Sequence, residues 1–255
     1  MKCTFLGTGT SQGMPVINCN CRACTSDDIK DKRLRCSAYI EWCGKNIVID
    51  TGPDFRQQML AQGVKNIDLI LYTHEHYDHT AGIDDIRPYY FKNLKPIQVY
   101  FNQRVHDGLY RRFNYIFAPT NYKAAPKVVA NVIEEGSKIY INENDFIEAI
   151  GIVHGDLSIL GYRFDKFAYL TDVGAISQEN KARLQNLEVL VISALQSNPH
   201  HSHLSLKEAV QMVEELNPRK AFFIHMSHNL GPVSEWANDL PANIAPAFDG
   251  LSITI

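Results

Sequence analysis

Thr73-His74-Glu75-His76-Tyr77-Asp78-His79-Thr80-Ala81-Gly82 places three imidazoles and the Asp78 carboxylate within six positions, directly after the apolar stretch 67–72. Five helical residues turn through about 500°, which would set His74 and His79 on roughly opposite faces. The spacing therefore suits a tight loop leaving a buried strand. In such a loop His74 and His76 can reach one cation while Asp78 and His79 turn toward a second. The pattern predicts a site for two metal ions.

Around this stretch lies a chain of 255 residues, 45% of them hydrophobic. That is enough to bury a sizeable core in one domain over residues 1–255. No stretch is apolar for the length needed to span a bilayer, and Met1-Lys2-Cys3-Thr4-Phe5-Leu6 runs into a glycine turn, not a signal-peptide cleavage region. The expectation is a cytoplasmic protein without a membrane partner. With 25 basic and 28 acidic residues, the formal net charge is -3, so no global positive field would hold a long nucleic acid. The basic runs at 30–35 and at Arg111-Arg112 read as solvated faces.

Six cysteines in a cytosolic chain argue against a disulfide framework. Cys3, Cys36 and Cys43 are scattered. Cys19-Asn20-Cys21-Arg22-Ala23-Cys24, in contrast, is tight enough for several thiolates to converge on one zinc ion. A closed zinc site needs four ligands, so a distant residue must complete it, and histidine is the natural donor.

Apolar periodicity and turn residues predict a strand at 2–6 running into Gly7-Thr8-Gly9-Thr10-Ser11-Gln12-Gly13, then strands at 38–42 and 46–50 around Cys43-Gly44-Lys45. A short helix follows at 55–62, stopped by Gly63. Beyond the histidine stretch come a strand at 96–101, an aromatic-rich helical segment at 103–117, a loop at Ala118-Pro119-Thr120, and meandering strands over 128–153. A hairpin at 159–164 and 167–170 turns at Asp165-Lys166. Ser177 caps a helix to 187, a strand covers 188–195, a helix at 204–216 stops at Asn217-Pro218, and a strand at 220–224 ends on His225. These runs suggest two sheets sandwiched between helices.

With these motifs in place, the chain resembles the metallo-β-lactamase superfamily, an α/β (α+β) class of four-layer αβ/βα sandwiches that carry an H-x-H-x-D-H loop. The resemblance spans nearly the whole chain: the 7–13 turn, Asp50, the loop at His74 to His79, then His154, Asp172 and His225, each at a predicted strand end. It implies that His74, His76 and His154 hold one metal, that Asp78, His79 and His225 hold the other, and that Asp172 bridges them. Asp50 would orient a ligand imidazole through its other ring nitrogen. Within the superfamily the chain is most similar to the phosphoribosyl cyclic phosphodiesterases of the carbon-phosphorus lyase pathway, which share the opening turn and a C-x-C-x-x-C cluster. That likeness implies a structural zinc held by Cys19, Cys21, Cys24 and His228, and a homodimer.

His203-Leu204-Ser205 is similar to the H-x-[ST] element of phosphodiesterase branches. It implies that His203 faces the phosphate and gives a proton to the departing oxygen or steadies developing charge beside a helix start. By the same alignment His200 and His201 take no part, although spacing alone cannot choose among the three. The implied chemistry is hydrolysis of a small cyclic or nucleotide-like phosphodiester. Two cations sharing Asp172 and a hydroxide lower the pKa of bound water, and Asp78 and His203 serve catalysis. Nitrogen and oxygen donors suit Mn²⁺ as well as Zn²⁺. Thr8, Thr10, Ser11 and Arg56 are candidates to meet substrate, and Arg87 could bind substrate charge or brace the loops. The aromatic stretch from Tyr89 to Tyr122 departs from the carbon-phosphorus lyase enzymes, so ring specificity stays open.

Two other readings compete. A tRNA 3′-processing nuclease would need a basic RNA-gripping arm, which the sequence lacks. A non-catalytic ligand-binding protein like pyrroloquinoline quinone biosynthesis protein B would share the cysteine cluster, but its metal loop is typically degraded.

Overall fold

The computed structural model describes residues 1–118 and 122–255. Most of the loop expected at Ala118-Pro119-Thr120 lies outside the described residues. Six strands open the chain: β1 (Lys2–Gly7), β2 (Ser37–Trp42), β3 (Lys45–Ile49), β4 (Leu69–Leu71), β5 (Ile97–Phe101) and β6 (Val128–Val132). Eight more follow: β7 (Lys138–Tyr140), β8 (Phe146–His154), β9 (Leu157–Phe164), β10 (Phe167–Leu170), β11 (Val189–Ser193), β12 (Lys220–Ile224), β13 (Ile244–Pro246) and β14 (Ser252–Thr254). They form two seven-stranded sheets, ordered β14-β1-β2-β3-β4-β5-β6 and β13-β12-β11-β10-β9-β8-β7.

The sheets face each other across an apolar layer. Phe5, Ile40, Ile47 and Leu71 of the first meet Ile147, Tyr162, Phe164, Phe167 and Val191 of the second. Removing each such side chain from water contributes roughly 1.5–3 kcal/mol. The outer face of the first sheet packs Val48, Ile70 and Val99 against Phe55, Met59, Val105 and Leu109 of its helices. On the second sheet Leu190, Ile192 and Phe223 pack against Leu184, Ala209, Val213 and Leu216. Helix, sheet, sheet and helix make the four layers expected of an αβ/βα sandwich. Among the described residues, no helix is long and apolar enough to cross a membrane.

Local signals hold where they rest on caps and turns. Ser177 accepts from Asn180 N at the start of the helix Gln178–Arg183, which ends short of 187. Ser205 and Glu208 form a capping box that starts Leu206–Leu216 two residues later than periodicity suggests. The expected helix at 103–117 is two helices, Gln103–Arg112 and Asn114–Phe117. Strands β3 to β6 run parallel, as do β10 to β13, and their C-terminal ends open on one edge of the sandwich.

Candidate metal centre

Along that edge the chain leaves three strands through strained residues. Asp50 follows β3, Asp172 lies two residues past β10, and His225 follows β12, with φ of +61°, +55° and +54°. Left-handed backbone costs a residue with a Cβ roughly 1–2 kcal/mol, and such residues cluster where surrounding structure over-determines a site. The histidine stretch is a loop only in part. Tyr77–Thr80 forms one helical turn with His76 at its N-cap. This helical turn does not set His74 and His79 on opposite faces, because His74 precedes it. Two glycines let this segment pack down: a Cβ at Gly52 would come within 2.1 Å of Asp78 O, and one at Gly82 within 2.2 Å of Gly52 O.

The ligand atoms of His74, His76 and His154 lie within 4.8 Å of one another, as do those of Asp78, His79 and His225. Asp172 meets both sets: its carboxylate lies within 4.8 Å of the ligand atoms of His74 and of His154 in the first, and in the second its Oδ2 is 3.3 Å from His79 Nε2 and its Oδ1 is 3.1 Å from His225 Nε2. Asp50 is fully buried and does not face the cluster's interior. Its Oδ2 accepts from His79 Nδ1 at 2.7 Å and from Thr73 Oγ1 at 2.8 Å, while Thr73 Oγ1 lies 3.0 Å from His74 Nδ1. His154 Nδ1 donates to Ser202 O at 3.0 Å. The tautomers assigned from these bonds turn His74 Nε2, His79 Nε2 and His154 Nε2 inward as lone pairs.

Buried His79 Nε2 and both His225 nitrogens have no hydrogen-bond partner, and His74 Nε2 sits 2.9 Å from His76 Nδ1. Inward lone pairs this close, interleaved with two carboxylates, are donors in need of cations. The set fits divalent metals of the zinc or manganese kind.

The electrostatics agree. Burial works to raise the Asp78 carboxyl, but His79 and His225 beside it hold it well below the usual range. Asp172 is likewise held low against burial by His225, His79 and His74. His79, which burial would neutralise, is pushed well above its ordinary value by Asp78, Asp172 and Asp50. Burial, then His79, pushes His74 down, and burial, then His154, does the same to His76.

His203 stands against this cluster. Its ring centroid is 4.5 Å from His154 and 5.0 Å from His225, and its buried Nδ1 is unpartnered, 3.9 Å from Asp172 Oδ1. Burial and then His225 lower its pKa to about 3. The helix start that was to favour an anion is already occupied, because Glu208 Oε2 accepts from Ser205 N at 2.8 Å. His201 is exposed, while His200 is half-buried with its ring 5.2 Å from His203.

A second cluster lies in the N-terminal loop. Cys19, Cys21, Cys24 and His228 bring their sulfur and nitrogen atoms within 4.8 Å of one another. His228 Nδ1 is 3.3 Å from Cys19 Sγ and 3.4 Å from Cys21 Sγ. Three sulfurs and one nitrogen suit a closed zinc site. A backbone hydrogen bond from Cys24 lowers the Cys21 thiol to about 6, whereas burial raises Cys24 to about 11.

The other candidates lie elsewhere or have partners already. Thr8 Oγ1 donates to Asp249 Oδ1 at 2.7 Å and accepts from Arg33 Nη1 at 2.8 Å. In the 7–13 turn, Gly13 N donates to Thr10 O within the turn and Gly9 N donates to Leu34 O of a neighbouring segment, so both amides already have partners. Thr10 is buried and Ser11 exposed. Exposed Arg56 lines a cavity with Met59, Leu60 and Tyr89, away from the cluster. Arg87 pairs with Asp84 at 2.7 Å and lies 5.5 Å from the Tyr115 ring centroid, bracing its loop. Reading the sequence missed Thr73, Thr171, which donates to Asp172 Oδ2 at 2.6 Å, and the Ser202 carbonyl. A threonine directly before a ligand, in Thr73-His74 and Thr171-Asp172, is the signal that could have found the first two.

Residues 45–226 match the family described as the β-lactamase superfamily domain. The chain belongs to that superfamily. It is also related to the PhnP family: a crystal structure described as a new diphosphatase of that family is 37% identical, covers 100% of this chain and 97% of its own, and superposes with a TM-score of 0.92. A protein of Porphyromonas gingivalis described as an octanoyltransferase is 35% identical over 257 residues, 100% of this chain and 52% of that protein. The chain spans about half the length of the curated relatives it matches. Zinc-bound PqqB from Methylobacterium extorquens, 16% identical with a TM-score of 0.82 over 100% of both chains, shares the superfamily fold.

Proposed function

We propose that this protein is a binuclear metal-dependent phosphodiesterase acting on a small cyclic or nucleotide-like phosphodiester. The observation that carries the reading is the convergence of His74, His76, Asp78, His79, His154, Asp172 and His225, with unpartnered ring nitrogens turned inward, on an edge that also presents His203. Divalent cations held by these donors would polarise the phosphoryl oxygens and lower the pKa of water at the site. Asp172 is the residue shared between the two halves, and Asp50 fixes the His79 ring so that Nε2 stays a donor. His203 enters neutral. An anionic phosphodiester beside it favours protonation, so the ring gains a proton as substrate arrives and can release it to the departing oxygen. Cys19, Cys21, Cys24 and His228 would hold one structural zinc that fastens the N-terminal loop to the segment after β12.

A second reading, cleavage of a diphosphate linkage, is favoured by the 37% identical structure described as a diphosphatase. The tRNA-nuclease reading lacks support from charge, since the net charge is -3. A binding-only role would leave a complete donor set unused. Metal analysis together with hydrolysis of bis(p-nitrophenyl) phosphate tests the proposal. Turnover with two catalytic metals loaded is expected, and inactivity in that state overturns it. Ribose cyclic phosphates, cyclic nucleotides, dinucleotides and diphosphate-linked nucleotides then separate the two hydrolytic readings.

A further inference from the structure

Arg33 is 3% exposed, yet among the described residues it makes no ion pair. Its Nη1 donates to Thr8 Oγ1 at 2.8 Å and to Ala247 O at 2.6 Å. Among the described residues no hydrogen bond uses its Nε or Nη2, which leaves one edge of the fork without a partner there. Burial pushes the Arg33 pKa down, opposed by Asp249 and Asp31. Neither carboxylate forms an ion pair with it: Asp249 accepts from Thr8 Oγ1 and Leu34 N, and Asp31 accepts from Val233 N through Oδ1 while its buried Oδ2 has no hydrogen-bond partner. A guanidinium stays charged at any ordinary pH, and a planar fork suits a carboxylate or phosphate.

Arg33 lines a cavity of about 540 Å³ on the side of the second sheet near β13, walled by Phe222, Val233, Ala245, Pro246 and Phe248. Lys30, also at this cavity, sets its ammonium 5.6 Å from the Phe248 ring centroid. A mostly apolar chamber whose lining sets two cations, Arg33 and Lys30, against the one carboxylate of Asp28 has the composition of a ligand pocket. None of its walls belongs to the His/Asp or cysteine cluster.

We propose that this cavity binds a small amphipathic organic anion, its carboxylate or phosphate head on that edge of Arg33 and its apolar body between Phe222, Val233 and Phe248. The head determines the sign of what binds, and the chamber limits its size.

The test is titration of the metal-loaded protein with phenylacetate and with phenyl phosphate, each compared with neutral 2-phenylethanol. Saturable binding of at least one anion is expected, at least tenfold tighter than the neutral compound. Arg33→Met should weaken it tenfold or more. Ala237→Phe, which fills the chamber from a half-buried wall position without touching Arg33, should do the same, and it serves if the arginine variant does not fold. Absence of saturable binding, equal binding of the neutral compound, or binding that survives Ala237→Phe overturns the proposal. The last outcome would also catch phenyl phosphate seated at the metal centre.

Discussion

The His/Asp cluster and the Cys19-to-Cys24 loop both gather metal donors, but the fold prepares them differently. The first draws its side chains from the ends of β3, β4, β8, β10 and β12, and all of them except His76 are buried. Thr73, Asp50 and the Ser202 carbonyl hold its imidazoles from behind. The second takes its cysteines from a stretch without strand or helix and His228 from a single 3-10 turn; Cys19, Cys21 and His228 are only half-buried and the apolar support is Met14, Ala23 and Cys24. Where sheets supply the geometry, donors are in position before any ion arrives. Where a loop supplies it, the ion itself must contribute order.

Four experiments would break or sharpen this contrast, with the greatest loss of turnover first. Asp172→Ala removes the residue common to both halves of the cluster, so phosphodiester hydrolysis should fall to background and metal stoichiometry should drop. Retention of two catalytic metals would show that Asp172 is not shared. His203→Ala should lower turnover by the roughly 10² to 10⁴ expected of a lost proton donor, with metal content unchanged. Equal rates in variant and parent would remove His203 from the chemistry. Asp50→Asn keeps the volume but weakens the grip on His79 Nδ1. Its metal affinity should fall about 10- to 100-fold, read by competition with a chelator. Cys21→Ser should change the chemical step least, yet lose one zinc per chain and some stability. A deficit of about 2 kcal/mol would lower Tm by about 4–8 °C for a chain of this size. Unaltered zinc content would mean that the four-residue assignment is wrong.

Much of this was legible in the sequence because the loop from His74 to His79 carries a resemblance that implied His154, Asp172 and His225, which strand ends alone do not single out, and because caps and turns act locally. The helix cap at Ser177 and the hairpin at Asp165-Lys166 are of this kind. What stayed hidden depended on distant partners. β13 and β14 are short and pair with β12 and β1, so no periodicity announces them. The helical turn at Tyr77–Thr80 is too short to show a pattern. Thr8 looked like a hydroxyl waiting for phosphate, but Arg33 and Asp249 claim it from segments that approach only in the folded chain. Arg33 itself sat in a basic run that resembled a solvated face and is among the most buried side chains.

The left-handed residues at 50, 172 and 225 set heat tolerance against the donor set. Glycine at any of them would relax the main chain by roughly a kilocalorie per mole, and each exchange would delete a group that holds or aims an ion. A variant selected only for endurance would drift toward glycine there and lose its metals. One that keeps the metals must find its added resistance in the packed layers instead.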